Sequence, residues 1–296
     1  MNVRYRYFNC LLLFLIYSFS IDAHPITLKQ DIMWAEFMSR QDMIWEKLPE
    51  YWYESAYLGN GRLGLMIYKE PGENYLRLET GNCDVHDHRA KRDVFGIPRL
   101  LTGHFALQPK GEIISGKMRL DLWNAEASTD IITTKGVIHL QTFVHADDMV
   151  IVVKATTEGE EHDFKWEWIA AEANSPRYLL FKRWGQTNKI PKDYTLNPAP
   201  VINRKGDINL SIQKLSAGGE TTVGWKETQS AKKERTLWIN LTHTYPQNNS
   251  DEICKAEIRK AIREGYPSMQ RTHRKWWNSF YPNSFITLPE AQKENF

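Results

Sequence analysis

Residues 138–153 read IHLQTFVHADDMVIVV, and this stretch carries the pattern that decides the fold. From Ile138 to Val144, apolar or β-branched residues alternate with other residues, which is the period of a strand with one buried face. Asp147-Asp148 is a turn signal, and the apolar run Met149 to Val153 follows it directly. The stretch therefore predicts two strands joined by a turn.

The same alternation recurs along residues 62–182 and resumes after residue 207. Its other runs are Leu63-Leu65-Ile67, Leu76-Leu78, Met118-Leu120-Leu122, Phe164-Trp166-Trp168, Ile208-Leu210-Ile212, Thr221 to Trp225 and Leu237 to Leu241. Turn signals separate them at Pro71-Gly72, Lys110-Gly111, Lys135-Gly136 and Glu158-Gly159. No helical run of a dozen residues lies between these strands, so the sequence predicts a mainly β fold, a large antiparallel β-sandwich. Residues 183–205, which contain three prolines, are expected to form a long loop.

The character of the chain changes after Tyr245-Pro246. Asp251 to Arg263 and Met269 to Phe280 have apolar residues at helical spacing, and Gly265-Tyr266-Pro267 separates the two segments. We therefore expect a short helical linker after the sandwich. The predicted organisation is a signal peptide over 1–23, a β-sandwich domain over 24–246 and a helical linker over 247–296.

The first 23 residues have the pattern of an export signal. Arg4 and Arg6 precede an apolar run from Phe8 to Phe19, and small residues follow it up to Ala23. The run is about a dozen residues, whereas a membrane-spanning helix needs roughly 20. Cleavage after Ala23 predicts an exported protein, periplasmic or extracellular, with no membrane attachment after cleavage. Cleavage after Ser20 and an uncleaved N-terminal anchor are the alternatives.

Composition narrows the range of partners. The formal net charge is +2 over 296 residues, with no basic or acidic block, which argues against nucleic acid or an anionic membrane surface as a partner. Eleven Trp and thirteen Tyr residues favour carbohydrate modestly, because aromatic faces stack on the C–H patches of sugar rings. Cys83 and Cys254 are expected to be free thiols, with a single disulfide as the alternative.

Gly59-Asn60-Gly61-Arg62-Leu63-Gly64 satisfies the G-x-G-x-x-G pattern of dinucleotide-binding loops. Such a loop needs a helix after it, whose N-terminus meets the pyrophosphate. Here residues 65–68 alternate as a strand, and Asn60-Gly61 is a tight-turn signal. The motif therefore predicts a hairpin turn, and no cofactor is expected.

The candidate site is the polar segment from Asn82 to Arg89. His86 and His88 lie two residues apart, which on an extended chain places both imidazoles on one face. With Asp84 nearby they could approach a metal ion, but a third ligand at diagnostic spacing is missing, so no metal is predicted. The alternatives are a loop whose histidines bond to backbone or solvent, and a loop that reaches toward a substrate site and bonds sugar hydroxyls. The candidate residues of this substrate-site loop are Asn82, Asp84, His86, Asp87, His88 and Arg89.

No catalytic group can be assigned from spacing. Glycosidases use two carboxylates, and the chain has many, but no spacing singles out a pair. The sequence contains neither a Gly-x-Ser-x-Gly elbow nor a His-Glu-x-x-His motif.

Two segments carry a resemblance to a known family. Trp45 to Pro49, followed by Ala56 to Tyr68 with its Leu-Gly-Asn-Gly-Arg-Leu-Gly turn, resembles the opening of family 95 glycoside hydrolases, the α-L-fucosidase-type enzymes. Leu76 to Asn82 sits where that family has its next strand, and the chain departs from the family after Asn82. The stretch from His273 to Phe280 resembles the linker into the catalytic domain. The chain is more similar to a divergent branch of bacterial exported proteins with an uncharacterised N-terminal domain.

The resemblance implies a large β-sandwich, a helical linker and then an (α/α)6 barrel that carries the catalytic acid and base. That barrel would begin near residue 290 and is expected to be missing from this chain, so the resemblance places no catalytic residue here. The implied protein is the N-terminal portion of a glycoside hydrolase acting on glycans such as fucosides or galactosides, inactive without its barrel. The alternatives are a stand-alone carbohydrate-binding module, suggested by Trp166 and Trp168, and a structural remnant of a truncated gene.

Overall fold

The computed structural model describes residues 32–90, 93–204, 206–283 and 285. The predicted signal peptide and the last residues of the predicted linker lie outside the described residues. Within them the chain is mainly β, and its strands form two antiparallel sheets. No helix of the described part is long and apolar enough to cross a membrane.

The secondary structure of the described residues comprises fourteen strands and four α-helices. The strands are β1 (Met43–Trp45), β2 (Ala56–Gly59), β3 (Leu63–Lys69), β4 (Leu76–Asn82), β5 (Gly103–Gln108), β6 (Ile113–Asp121), β7 (Glu126–Thr133), β8 (Gly136–Val144), β9 (Ile151–Gly159), β10 (Lys165–Ala170), β11 (Val201–Asn203), β12 (Asn209–Lys214), β13 (Glu220–Ala231) and β14 (Glu234–Thr244). The helices are α1 (Trp34–Ser39), α2 (Pro176–Arg183), α3 (Ser250–Glu264) and α4 (Tyr266–Phe280). Short 3-10 turns lie at Trp52–Glu54, Glu161–Asp163, Thr187–Lys189 and Tyr281–Asn283.

The strands form a large sheet of nine and a small sheet of five. The order in the large sheet is β1-β6-β7-β8-β9-β14-β13-β12-β11, and in the small sheet it is β10-β5-β4-β3-β2. Every pairing in both sheets is antiparallel. The apolar faces of the two sheets share one core that includes Leu65, Phe105 and Ile138. The predicted antiparallel sandwich is therefore confirmed.

Residues 138–153 form the centre of the large sheet, as β8 and the start of β9. Val144 pairs with Ile151, and both side chains point into the core between the sheets. Phe143 and Val152 point to the opposite face, where they are also buried. A strand buried on both faces has a continuous apolar sequence, and this explains the unbroken run from Met149 to Val153.

Helices α3 and α4 cover that opposite face of the large sheet. Cys254 and Ile258 of α3 pack with Leu210 of β12 in a second apolar cluster, which also takes in Met269 of α4. The predicted helices are thus present, and they form a third layer over the sheet.

The predicted loop over 183–205 contains regular structure that the sequence analysis did not identify. Helix α2 ends at Arg183, the first residue of this segment, and the last part of the segment includes β11, an exposed edge strand. Ser175 caps α2, since its Oγ accepts a hydrogen bond from the Arg177 backbone N–H (3.2 Å), and Pro176 occupies the first turn. These start signals were present, but α2 buries no residue and therefore shows no apolar stripe.

Candidate functional site

The G-x-G-x-x-G segment forms the turn between β2 and β3, where Gly59 pairs with Gly64. The Asn60 side-chain oxygen accepts hydrogen bonds from the backbone N–H groups of Arg62 (3.1 Å) and Leu63 (2.8 Å). Gly61 has φ +88°, a left-handed conformation that glycine adopts without steric cost. A strand follows this turn, so the predicted hairpin is confirmed.

The segment from Asn82 to Arg89, named here the His88 loop, begins at the end of β4 in the small sheet. The Asn82 side-chain amide donates a hydrogen bond to the Leu241 carbonyl of β14 in the large sheet (2.9 Å). The Asn82 side-chain oxygen also accepts from the Asp84 backbone N–H (2.8 Å). A single side chain therefore joins the two sheets and fixes the start of the loop.

The backbone of the His88 loop is held by the segment 96–100. The Asp87 N–H donates to the Pro98 carbonyl (3.0 Å), and the Arg89 N–H donates to the Gly96 carbonyl (3.0 Å). Burial alternates along the loop, with Val85 and Asp87 buried and His86 and His88 half-buried. The alternation is that of an extended chain, with both histidines on the more exposed side.

His88 contacts the end of β14. Its Nε2 atom lies 2.9 Å from Nε2 of His243, and its ring stacks on Tyr245 with 3.8 Å between ring centroids. His243 in turn shares a hydrogen bond through Nδ1 with the Thr221 hydroxyl of β13 (2.8 Å). The loop of the small sheet thus contacts the end of β14, an interior strand of the large sheet, through a stacked polar cluster.

The two imidazoles are neutral at pH 7. Burial lowers the pKa of His88, and His86 lowers it further. Burial also lowers the pKa of His243 to about 4, and the neighbouring His88 adds to this shift. In a neutral pair one Nε2 donates the shared hydrogen and the other accepts it. Both Nε2 atoms and His243 Nδ1 are used within the cluster, so Nδ1 of His88 is the ring nitrogen of this pair that can bond a sugar hydroxyl.

Asp84 forms an ion pair with Arg62 of the β2–β3 turn, with Arg62 Nε 3.1 Å from Asp84 Oδ2. The hydrogen bond from Arg62 lowers the pKa of Asp84, so this carboxylate is ionised and paired at neutral pH. The pair places the β2–β3 turn beside the His88 loop.

Asp87 and Arg89 hold the far end of the loop. Asp87 is fully buried, and its Oδ2 accepts from Arg89 Nε (2.7 Å) and from the Asn197 amide (3.3 Å). The Arg89 guanidinium also donates to the Thr195 hydroxyl (2.9 Å) and lies over the Tyr194 ring, 4.7 Å from its centroid. Both charged side chains of this end are therefore engaged with the segment 194–197.

The structure adds partners that sequence spacing did not reveal. His243 and Tyr245 contact His88, and Thr221 bonds His243, although all three lie more than 130 positions from the loop, so no local pattern connects them. Within the described ranges, no group of three or more His, Cys, Asp or Glu side chains could hold a metal ion. Cys83 and Cys254 are both free thiols in the structure.

No protein-family model matches this chain, and no curated protein matches it. A solved structure named "Putative kojibiose phosphorylase from human microbiome" is similar, with a TM-score of 0.48 and 16% sequence identity. The match covers 76% of this chain and 32% of that one, so the chain spans less than a third of that protein's length. A likeness of this degree assigns neither activity nor substrate to this chain.

Proposed function

We propose that this chain is the N-terminal β-sandwich portion, with its helical linker, of an exported glycoside hydrolase that acts on glycans such as fucosides or galactosides. In this proposal the His88 loop borders the substrate site, and an (α/α)6 barrel supplies the catalytic acid and base. The chain alone is then inactive. The family resemblance of the β2–β3 turn supports the barrel partner and the substrate class.

The observation that carries the proposal is the neutral His88–His243 pair. It is fixed by the stacking of His88 on Tyr245 and by the hydrogen bond of His243 to Thr221. Groups held in this way lose little side-chain freedom when a ligand binds. Half-buried, uncharged imidazoles suit a hydroxyl-rich ligand, whereas an anionic substrate would favour a cationic site.

Joining this chain to the barrel of a family 95 enzyme tests the proposal. Turnover of nitrophenyl α-L-fucoside and galactosides by this fusion is compared with that of its His86→Ala/His88→Ala variant. We expect at least a tenfold loss of kcat/KM, because the substrate would lose hydrogen-bonding partners. His139→Ala, at a partly exposed histidine on β8, is the matched control and should leave kcat/KM unchanged.

Two results would contradict the proposal. Equal kcat/KM for the fusion and its double-histidine variant would remove the His88 loop from the substrate site. Turnover by the purified chain alone, lost on replacement of its Asp or Glu residues, would place the catalytic groups in the sandwich and not in a barrel.

A stand-alone carbohydrate-binding module is the second candidate, but not for the reason that the sequence suggested. Trp168 is buried in the core and Trp166 packs against it, so neither ring forms an open sugar-facing surface. Exposed aromatic rings lie instead at Tyr51, Trp52 and Tyr53. Binding to a glycan array by the purified chain, without any turnover by the fusion, would favour this candidate.

A further inference from the structure

A cleft of about 890 Å³ lies where the chain crosses from the large sheet to the small sheet. Its walls are β1, the segment 46–55 that leads to β2, and the first residues of β6. Ligand sites in proteins typically have volumes of roughly 300–1,000 Å³. The cleft is therefore large enough for a ligand of several rings.

Aromatic side chains stand exposed along this cleft. Tyr51, Trp52 and Tyr53 are 47%, 63% and 64% exposed, and Tyr51 and Tyr53 line the cleft directly. The rings of these two tyrosines are parallel, with 4° between their planes and 5.3 Å between centroids. Three consecutive aromatic residues left in water form an apolar surface patch, and such patches mark binding sites more often than single exposed residues do.

The segment that carries these rings is fixed in place. The Trp45 indole N–H donates to the Glu54 carbonyl (2.8 Å), and the Ser55 hydroxyl donates to the Trp52 carbonyl (2.7 Å). Pro49 is buried, and its carbonyl accepts from the Lys69 backbone N–H of β3 (2.8 Å). The rings are thus presented on an ordered turn, which lowers the entropy cost of binding.

The polar groups of the cleft carry both signs of charge. Three carboxylates and two ammonium groups line it, from Glu46, Glu50, Glu54, Lys47 and Lys69. Lys69 Nζ lies 3.9 Å from a Glu50 oxygen, so part of this charge is already compensated. A site of mixed sign does not select an ionic ligand, but it supplies donors and acceptors for hydroxyl groups.

We propose that this cleft binds a neutral oligosaccharide, with a sugar ring stacked on Tyr51 or Tyr53 and its hydroxyls bonded to the surrounding carboxylates and ammonium groups. The choice of a glycan as the ligand rests on the proposed function. The cleft is a second glycan site, distinct from the His88 loop, because the two lie at opposite ends of β3. Lys69 at one end lines the cleft, and Leu63 at the other end pairs with Asn82 of the His88 loop. Six residues of a strand separate these ends by about 20 Å.

Native gel electrophoresis of the purified protein in gels that contain a soluble neutral polysaccharide tests this site. Xyloglucan, galactan, mannan and a soluble α-glucan are used separately as probes. We expect retardation by at least one of them, and at least tenfold weaker binding for Tyr51→Ala and Tyr53→Ala. Tyr57→Ala is the matched control, because Tyr57 is 64% exposed like Tyr53 and does not line the cleft.

The outcomes separate this site from the His88 loop. Retardation that is lost in Tyr53→Ala and kept in Tyr57→Ala and His88→Ala supports the cleft. Retardation that survives both Tyr51→Ala and Tyr53→Ala overturns the proposal of a glycan site in the cleft. Retardation that is lost only in His88→Ala would assign all glycan binding to the His88 loop and leave the proposed function intact. The absence of retardation by any of the probes also overturns the proposal. So does a protein dimer that Tyr53→Ala converts to a monomer, since the cleft would then bind a second copy of the chain.

Discussion

The Nε2 atoms of His88 and His243 lie 2.9 Å apart, although 155 positions separate the two residues in the chain. His88 follows a strand of the small sheet, and His243 lies near the end of β14, an interior strand of the large sheet. The contact thus joins the two sheets at the end of β14, together with the hydrogen bond from Asn82 to Leu241. Protonation of both imidazoles would oppose two N–H donors and two positive charges, so the contact depends on pH.

The free energy of unfolding should fall when the pH is lowered from 7 to 5. Burial holds the pKa of His243 and that of His273 at about 4 in the folded protein, whereas an unfolded histidine has a pKa near 6.5. Below pH 6.5 the unfolded chain therefore binds protons that the folded protein does not, and stability falls until the pH reaches the folded pKa. The expected loss is roughly 1–2 kcal/mol for the fully buried His273 and less for the partly exposed His243, where solvent screens the effect. Urea unfolding at both pH values measures the loss.

His273→Gln is the control for this pH dependence. His273 is fully buried in α4, and its Nε2 lies 3.2 Å from the Ala125 carbonyl. The variant should be less stable at pH 7 but lose less stability between pH 7 and 5. His139 acts in the opposite direction, since burial alone would lower its pKa but hydrogen bonds to Asp130 and Glu158 raise it overall. An unchanged slope in the variant would contradict the assignment to His273.

Glu126→Gln should weaken the attachment of α4 to the large sheet. Glu126 is buried at the start of β7, and its carboxylate accepts two hydrogen bonds from the Arg274 guanidinium (2.5 and 2.8 Å) and one from the Gln270 amide (3.0 Å). Loss of a buried, charge-assisted pair costs several kcal/mol, and the partial exposure of Arg274 reduces this to about 2 kcal/mol. Thermal unfolding measures the change in stability.

The matched control for Glu126→Gln is Glu36→Gln. Glu36 also pairs with an arginine, Arg40, but both side chains are largely exposed. Exposed pairs contribute roughly 0–1 kcal/mol, so this variant should unfold close to the temperature of the unmodified protein. Equal effects of the two substitutions would mean that burial of Glu126 is not what makes its pair important.

Asn60→Ala should destabilise the β2–β3 turn by about 1–2 kcal/mol, because its side chain makes local and long-range hydrogen bonds. The Asn60 oxygen accepts from Arg62 and Leu63, and the Asn60 amide donates to the His145 carbonyl (3.0 Å). Asn60→Asp keeps the two acceptor bonds and should recover part of the loss. Urea unfolding of the three proteins measures this order, and a fully stable Asn60→Ala would show that backbone pairing alone fixes the turn.

Cys83 should react with a thiol reagent in the folded protein, whereas Cys254 should react only after unfolding. Cys83 is half-buried on the His88 loop. Cys254 is fully buried in α3, and burial raises the pKa of its thiol, which reduces the reactive thiolate. Mass spectrometry of labelled peptides distinguishes the two residues. Equal labelling before denaturation would mean that α3 does not stay packed on the sheet.

Gly224→Ala tests the same packing from the other side. A Cβ atom at Gly224 of β13 would lie 2.4 Å from Cys254 Sγ. Such an overlap forces α3 away from the sheet and typically costs about 1–3 kcal/mol. The variant should therefore unfold at a lower temperature and expose Cys254 to the reagent. Gly72→Ala, in a turn with open space around it but φ +78°, shows the cost of backbone strain alone.

The amino-acid sequence by itself determined the strands with one buried face, the hairpin turn at Asn60-Gly61 and the two C-terminal helices. These features depend on neighbours within a few residues, through side-chain period and turn conformation. β5 was missed because it is buried along almost its whole length and shows no alternation, and α2 because it buries no side chain.

Only the tertiary structure decided which residues meet the candidate site. The sequence identified His86 and His88 as neighbours on one face, but local spacing cannot connect His88 to His243 of β14. Nor can it connect Arg89 to Thr195. The tertiary structure also shows that Trp166 and Trp168 pack in or against the core, whereas Tyr51 and Tyr53 are exposed. Which face of a strand is covered depends on how sheets and helices stack, and this is a property of the packed molecule and not of any single segment.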